Sequence, residues 1–205
     1  MKHGSQLRRY SGIPLRALVA LLCVVALVFM GCGSAEEAPD EGEELLTLSS
    51  PAFADGGWIP VKYVCTDYGG QDISPELNWA DVPANTKSMA LLFDDPDSTE
   101  GLLNHWIVFN VPPSVNQLPE DAVGRGVLPS GALQGKNGLG KYGLKEIGYV
   151  GPCPPNEPVH HYVFTVYALD SLLDLDTGAS KGEVVKAMQG HVLGHGHLTG
   201  VFQRQ

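Results

Sequence analysis

The sequence predicts a mainly β fold of the α+β class, in which the strands are antiparallel and helix is confined to the C-terminal part. The 205 residues include 25 glycines and 15 prolines, which is more chain-breaking residues than a helical bundle tolerates. Three runs rich in β-branched and aromatic residues predict strands at 88–93, 105–111 and 162–169. Apolar residues recur with convincing helical spacing only in 181–193, and a second short helix is expected at 171–176.

Residues 1–31 have the organisation of an export signal. Basic residues and no acidic ones precede an apolar run at 17–30, which is shorter than the roughly 20 residues of a membrane-spanning helix but suits a signal-peptide core. The segment 29–32 reads Phe-Met-Gly-Cys and resembles the lipobox of bacterial lipoproteins, in which the cysteine is lipidated. We therefore expect an extracytoplasmic lipoprotein that is anchored to a membrane through Cys32. The alternatives are ordinary secretion with cleavage nearby and, less favoured by the length of the run, a retained membrane anchor.

The part of the chain after the signal divides into a linker and one domain. Residues 32–44 contain six acidic residues and no aromatic one, a composition typical of a flexible linker. Residues 45–205, about 160 in number, suffice for one domain with a substantial core. From Cys32 onward the chain holds all 23 acidic residues and only 9 basic ones, so the formal net charge falls from −10 for the whole chain to −14. This charge argues against nucleic acid as a partner.

Two cysteines remain in the predicted domain, Cys65 and Cys153. An exported domain retains disulfides, and both residues stand beside turn-forming residues. The sequence leaves two possibilities open, a disulfide between them or two buried thiols.

Polar residues next to predicted strands mark a candidate ligand site. Asp95 and Asp97 flank a proline, which stiffens the turn that presents their carboxylates. In the strand at 162–169, alternation places His160 and Tyr162 on the face that also carries Phe164 and Val166, and His161 on the other face. The same rule places His105 with Ile107 and Phe109. Asp94 is expected to point away from Asp95 and to take no part in the site.

Carboxylates beside imidazoles suit a pocket for a small anion or a zwitterion. A neighbouring carboxylate orients a histidine ring and favours the imidazolium form, which donates hydrogen bonds to an anion. The same carboxylates could instead receive an ammonium group. The alternative is that these residues have a structural role only. Asp-Pro-Asp would then be an ordinary turn, and each histidine would be a core residue whose ring nitrogens are hydrogen-bonded.

The two motifs resemble those of the phosphatidylethanolamine-binding protein family, in particular its bacterial and archaeal, Raf-kinase-inhibitor-like branch. The family pattern Asp-Pro-Asp followed by His-Trp appears at 95–97 and 105–106, and Gly-Pro-x-Pro-Pro followed by His-x-Tyr appears at 151–155 and 160–162. The resemblance covers the chain from about Leu45 onward. It implies a large antiparallel β-sheet packed with a smaller sheet, plus C-terminal helices. It also implies an anion pocket lined by Asp95, Asp97, His105, His160 and Tyr162, with Gly151 and Pro155 shaping its rim.

One departure from the family pattern concerns the position after His160. His161 stands where the family has arginine, so any ion pair made by that arginine is expected to be weakened or absent.

The function expected from the sequence is a non-enzymatic binding module without a cofactor. Its ligand would be a small phosphorylated or carboxylated molecule, and it could act on other extracytoplasmic proteins as an inhibitor. A first alternative is a metal-dependent hydrolase that uses the Asp/His cluster, since His191, His195 and His197 add further possible ligands near the C-terminus. A second alternative is a protease inhibitor that acts through its surface loops.

Overall fold

The computed structural model describes residues 46–122, 126–155 and 158–204. The predicted signal peptide, Cys32 and the whole acidic linker lie outside these ranges. Within them, no helix has the length and apolar character needed to cross a membrane.

In the described part of the chain, the fold consists of nine strands in two sheets, one α-helix and three 3₁₀ helices. In chain order the strands are β1 Thr47–Ser49, β2 Gly57–Trp58, β3 Leu77–Ala80, β4 Ser88–Asp95, β5 Leu103–Val111, β6 Gln117–Leu118, β7 Leu133–Gln134, β8 His160–Leu169 and β9 Val192–Phe202. The helix α1 spans Lys181–Met188, and the 3₁₀ helices span Val61–Tyr63, Thr66–Tyr68 and Gly140–Tyr142. The mainly β class predicted from the sequence is therefore confirmed.

A six-stranded sheet in the order β2-β9-β8-β4-β5-β7 forms the centre of the domain. Its pairings are antiparallel, except that β2 runs parallel to β9. A smaller antiparallel sheet has the order β1-β3-β6. The central strands of the large sheet are almost entirely buried, because both of their faces are covered.

Two hydrophobic cores lie on opposite faces of the large sheet. On one face Phe93 and Phe164 pack with Trp79 of the smaller sheet. On the other face Ile107 packs with Val184 of α1. The helix begins at a capping box in which Ser180 accepts from the backbone N–H of Glu183 and the Glu183 carboxylate accepts from the backbone N–H of Ser180.

The C-terminal part contains less helix than predicted. The expected helix at 181–193 ends at Met188, residues 171–176 form no helix, and 192–202 form β9, the longest strand. The glycines in β9 allow close packing: a Cβ on Gly196 would lie 2.1 Å from the carbonyl oxygen of Leu46, and one on Gly200 would lie 2.4 Å from Ile59. Glycine within a strand can thus indicate a close approach of another segment, and not only an interruption of the strand.

Cys65 and Cys153 form a disulfide with a Cα–Cα distance of 5.5 Å. The bond connects the turn at Thr66–Tyr68 to the segment that precedes β8. Beside it, the backbone N–H of Cys65 donates to the carbonyl of Pro152 over 3.1 Å, and the Tyr68 hydroxyl donates to the carbonyl of Pro154. The two segments are thus fixed to each other by one covalent and two hydrogen bonds.

Candidate functional site

Strand β8 carries two of the predicted site residues on one face. His160 and Tyr162 are 2 % and 0 % exposed, and their rings stack with centroids 6.3 Å apart. Phe164 and Val166 follow on the same face, in the core shared with the smaller sheet. The alternation predicted for this strand is the one that the structure has.

A β-bulge in β5 places His105 on this same face, contrary to the prediction. Phe93 of β4 pairs with Trp106, whereas the next residue, Asp94, pairs with Asn104, so His105 is the extra residue. The His105 ring therefore packs on the face of Phe93 and Tyr162, with centroids 5.3 and 5.4 Å away. Simple alternation had put it with Ile107, which lies in the opposite core.

Asp95 connects the first motif to β8. Its Oδ2 accepts a hydrogen bond from Nδ1 of His160 over 2.8 Å, and its Oδ1 accepts from the backbone N–H of Asp97 over 2.8 Å. The Asp95 and His160 side chains are 4 % and 3 % exposed. The carboxylate thus fixes the His160 ring and closes the Asp-Pro-Asp turn onto the strand.

His105 is held in one tautomer by the backbone. Its Nδ1 lies 2.9 Å from the carbonyl oxygen of Val150, an atom that only accepts, so Nδ1 carries the proton. Burial lowers the pKa of His105, which outweighs the opposing influence of Asp95 and Asp94. The ring is therefore neutral, and the prediction that carboxylates make it an imidazolium donor is wrong for His105.

Two buried polar atoms in this cluster lack a hydrogen-bond partner among the described residues. They are Nε2 of His105 and the hydroxyl of Tyr162. Burial and the nearby Asp95 carboxylate raise the pKa of Tyr162, so the phenol keeps its proton, although it makes no hydrogen bond of normal geometry to that carboxylate. An unpartnered buried polar atom costs about 1–3 kcal/mol, so a bound group or an ordered water is expected to satisfy it.

Asp97 lies at the surface rather than inside the cluster. Its Oδ2 accepts from both the backbone N–H and Nδ1 of His161, each over 2.7 Å. These bonds, led by the backbone one, lower the pKa of Asp97. Both side chains are roughly half exposed. The replacement of the family arginine by His161 was expected to weaken or remove a contact at this position. His161 instead forms a hydrogen-bonded pair with Asp97.

Gly151 and Pro155 belong to the segment beside the cluster. The backbone N–H of Gly151 donates to Oδ1 of Asp72 over 2.7 Å, and a Cβ at Gly151 would lie 2.3 Å from the carbonyl oxygen of Tyr63. Only glycine allows this approach. Pro155 is exposed, and its carbonyl accepts from the Arg204 guanidinium over 3.1 Å.

Sequence reasoning missed three residues that support the site. They are Val150, whose carbonyl sets the tautomer of His105, and Asp72 and Arg204, which anchor the Gly151–Pro155 segment. Asp72 could have been suspected as an acid next to a glycine pair and a turn, but a backbone carbonyl leaves no signal in a sequence.

Asp94 points to the opposite face, as predicted. Its Oδ1 accepts from Lys181 of α1 over 3.0 Å and from the amide of Asn104 over 2.9 Å. It joins the helix to the sheet and does not enter the cluster of His105 and His160.

The C-terminal histidines do not converge on a metal site. His191 pairs through Nδ1 with Asp170 over 2.7 Å at the surface, and His195 and His197 lie on β9 opposite Tyr167 and Thr165 of β8. Across the described ranges, no group of three or more His, Cys, Asp or Glu side chains is arranged to hold a metal ion. The metal-dependent hydrolase expected as an alternative therefore finds no ligand cluster there.

Comparison with known proteins assigns the fold to a family. The profile of the phosphatidylethanolamine-binding protein family matches residues 49–203. A UPF0098 protein of Methanothermobacter thermautotrophicus is 46 % identical over 159 residues, which are 78 % of this chain and 99 % of the relative. A UPF0098 protein of Pyrococcus horikoshii is 40 % identical over 201 residues, 95 % of this chain and 94 % of the relative.

Two solved structures share the architecture. A phosphatidylethanolamine-binding protein homologue of Chlamydia trachomatis aligns with a TM-score of 0.69 and 39 % identity, covering 80 % of this chain and 100 % of its own. YbcL of E. coli, described as a member of the mammalian family, aligns with a TM-score of 0.69 and 32 % identity, covering 78 % of this chain and 99 % of its own. The chain described here belongs to the phosphatidylethanolamine-binding protein family.

Proposed function

We propose that this domain is a non-enzymatic binding module whose ligand is a small molecule with a phosphate or carboxylate group. The ligand would occupy the cluster formed by Asp95, His105, His160 and Tyr162. Family membership makes a binding role the natural expectation, but a fold alone does not specify a ligand. The choice of ligand class rests on the chemistry of this cluster.

The observation that carries the proposal is the pair of unpartnered buried atoms. Nε2 of His105 and the hydroxyl of Tyr162 belong to rings that meet edge to face, 5.4 Å apart between centroids. Together they supply one hydrogen-bond acceptor and one donor in adjoining positions. A phosphate or carboxyl group that keeps one proton has an O–H donor and a bare oxygen a few ångströms apart, so it would satisfy both atoms at once.

The ligand would reach the cluster from the side of the Asp97 turn. Exposed residues lie within two positions of the buried Asp95 and His160, namely Pro96, Asp97, Pro158, Val159 and His161. Because His105, His160 and Tyr162 are at most 2 % exposed, binding requires that this rim moves. The phosphate or carboxylate group would thereby exchange water for contacts inside the domain, where hydrogen bonds are electrostatically stronger.

We further propose that the domain acts at a membrane surface outside the cytoplasm. The lipobox-like segment ending in Cys32 and the acidic linker after it support this location. The disulfide between Cys65 and Cys153 is compatible with an oxidising compartment. Any protein target would then be extracytoplasmic too.

Isothermal titration calorimetry with inorganic phosphate tests the binding proposal. The variant Tyr162→Phe removes only the hydroxyl, and a hydrogen bond to a charged group contributes about 1.5–3 kcal/mol, so affinity should fall by roughly 10- to 100-fold. The matched control is Tyr167→Phe, the same substitution on the same strand but on the opposite face. Undiminished affinity in Tyr162→Phe would overturn the proposed site.

A further inference from the structure

The tautomer of His105 restricts which ligand the proposed site accepts. Because Nδ1 donates to the carbonyl of Val150 over 2.9 Å, the free Nε2 presents a lone pair and no proton. A ligand atom that meets Nε2 must bring its own proton. An oxygen with lone pairs only would face another lone pair and be repelled.

The charges around His105 act in the same direction. Asp95, on the same face, and Asp94, on the opposite face of the sheet, are the charged groups that act on its ring, and Tyr162 is the titratable neighbour on β8. Within the described ranges Asp95 pairs with His160, and no lysine or arginine forms an ion pair with it. A ligand oxygen that carries a proton holds less negative charge than a bare one, so the Asp95 carboxylate repels it less.

We infer that this site selects oxyanions that still carry a proton and rejects those that do not, because His105 Nε2 must accept a hydrogen bond from the ligand. This inference rests on the proposed function and specifies its ligand class. The protonated ligand oxygen would donate to His105 Nε2, while another ligand oxygen would accept from the Tyr162 hydroxyl. The bound state then leaves neither buried atom without a partner.

The rule separates chemically similar ligands. Hydrogenphosphate and the singly protonated form of a phosphate monoester keep an O–H group, and a monoester loses that proton with a pKa of about 6. Sulfate and phosphate diesters have no proton at neutral pH. The intact headgroup of a phospholipid contains a diester, so its phosphate alone would not satisfy His105.

The experiment compares inorganic phosphate, sulfate and dimethyl phosphate by calorimetry on the soluble domain at about pH 8, where hydrogenphosphate still keeps one proton. Phosphate should bind at least roughly tenfold more tightly than the other two, since each of those leaves the His105 acceptor unsatisfied. Phosphate binding should also release the same heat in buffers of different ionisation enthalpy, because the ligand supplies the proton. Binding of sulfate, which takes no proton at this pH, accompanied by uptake of a full proton from the buffer would show that His105 becomes imidazolium, and would overturn the inference.

The variant His105→Gln gives an independent test. Its amide can turn an N–H toward the ligand, so the preference for phosphate over sulfate should shrink or reverse, a result that simple loss of structure would not produce. Circular dichroism confirms that the variant is folded. His191→Gln, at an exposed pair on the surface, serves as the control and should keep the wild-type preference.

The outcomes separate the two proposals. Comparable affinity for phosphate and sulfate, lost together in Tyr162→Phe, would overturn the proton rule while the binding site stands. Absence of binding for all three anions would overturn the proposed function itself, and the proton rule with it. A preference for phosphate that persists unchanged in His105→Gln would also overturn the rule.

Discussion

Asp95 and His160 lie 65 positions apart in the sequence, and their side chains meet in the interior with Oδ2 and Nδ1 2.8 Å apart. The contact ties the end of β4 to the start of β8 and connects the two sequence motifs. Both side chains are at most 4 % exposed, so each depends on the other to satisfy its polar atoms.

Removal of the Asp95 carboxylate should destabilise the domain strongly. In Asp95→Ala, Nδ1 of His160 loses its partner in a buried position, and so does the backbone N–H of Asp97. We expect the free energy of unfolding in urea to fall by about 2–4 kcal/mol. The control is Asp170→Ala, which breaks the exposed pair with His191 at 2.7 Å and should cost about 0–1 kcal/mol. Equal losses of unfolding free energy in Asp95→Ala and Asp170→Ala would show that burial of the Asp95–His160 pair does not increase its contribution to stability.

The two strands that carry the histidines show what a sequence does and does not reveal. The pairing of β8 with β9 is regular from His160 to Ala168, so alternation assigned His160 and Tyr162 to one face correctly. In β5 an extra residue interrupts the pairing with β4, and the face of His105 changes at that point. A bulge depends on pairing between two strands, which the sequence of one strand does not contain.

The misassigned C-terminus has a similar cause. The glycines at 194, 196 and 200, which follow the predicted helix at 181–193, lie on the buried face of β9. What allows a strand there is the close approach of Leu46 to Gly196 and of Ile59 to Gly200. These contacts join residues about 140 or more positions apart, so the local propensity that predicts helices carries no information about them.

Replacement of Gly151 should disturb the rim without a change to any polar group of the cluster. The added Cβ in Gly151→Ala would press on the backbone carbonyl of Tyr63, which is not free to rotate away. We expect a loss of about 1–3 kcal/mol in the free energy of unfolding, together with weaker phosphate binding. Gly143→Ala provides the comparison, because Gly143 has a φ of 80° but open space around it. It should lose about 1 kcal/mol and bind phosphate normally; wild-type stability of Gly151→Ala would contradict the packing seen here.

Reduction of the disulfide should lower stability substantially. Cys65 and Cys153 are 88 positions apart, and closing a loop of about that length is worth roughly 4–5 kcal/mol in the chain-entropy estimate. Urea unfolding with and without a reductant measures the loss. The double variant Cys65→Ser/Cys153→Ser should match the reduced wild type and should not respond to reductant. If reductant does not change the unfolding midpoint of the wild-type protein, the disulfide is absent or has no effect on stability.

Lipidation at Cys32 predicts a specific change in location. In a bacterial host that processes lipoproteins, wild-type protein should incorporate labelled fatty acid and sediment with membranes, because two or more acyl chains anchor firmly. Cys32→Ser removes the acceptor thiol, so label should be lost and the protein should move to the soluble fraction. Cys23→Ser, within the apolar run, is the matched control and should behave as wild type. Label in Cys32→Ser would contradict the assignment of that cysteine.

Burial of neutral His105 predicts how stability depends on pH. Burial lowers its pKa below the ordinary value of 6.5, so near and below that value the unfolded chain binds a proton that the folded domain does not. The stability that His105 contributes is therefore fully present above about pH 6.5 and is lost as the pH falls, at up to about 1.4 kcal/mol per pH unit.

Urea unfolding between about pH 7 and 5 measures this dependence, in a window above the range where most carboxylates titrate. His105→Gln should lose much of the slope, because glutamine does not titrate in either state. His191→Gln removes a histidine that is about half exposed and should keep the slope. An unchanged slope in His105→Gln would show that the folded domain protonates His105 as readily as the unfolded chain does, and would remove the neutral acceptor on which the selection of proton-bearing oxyanions depends.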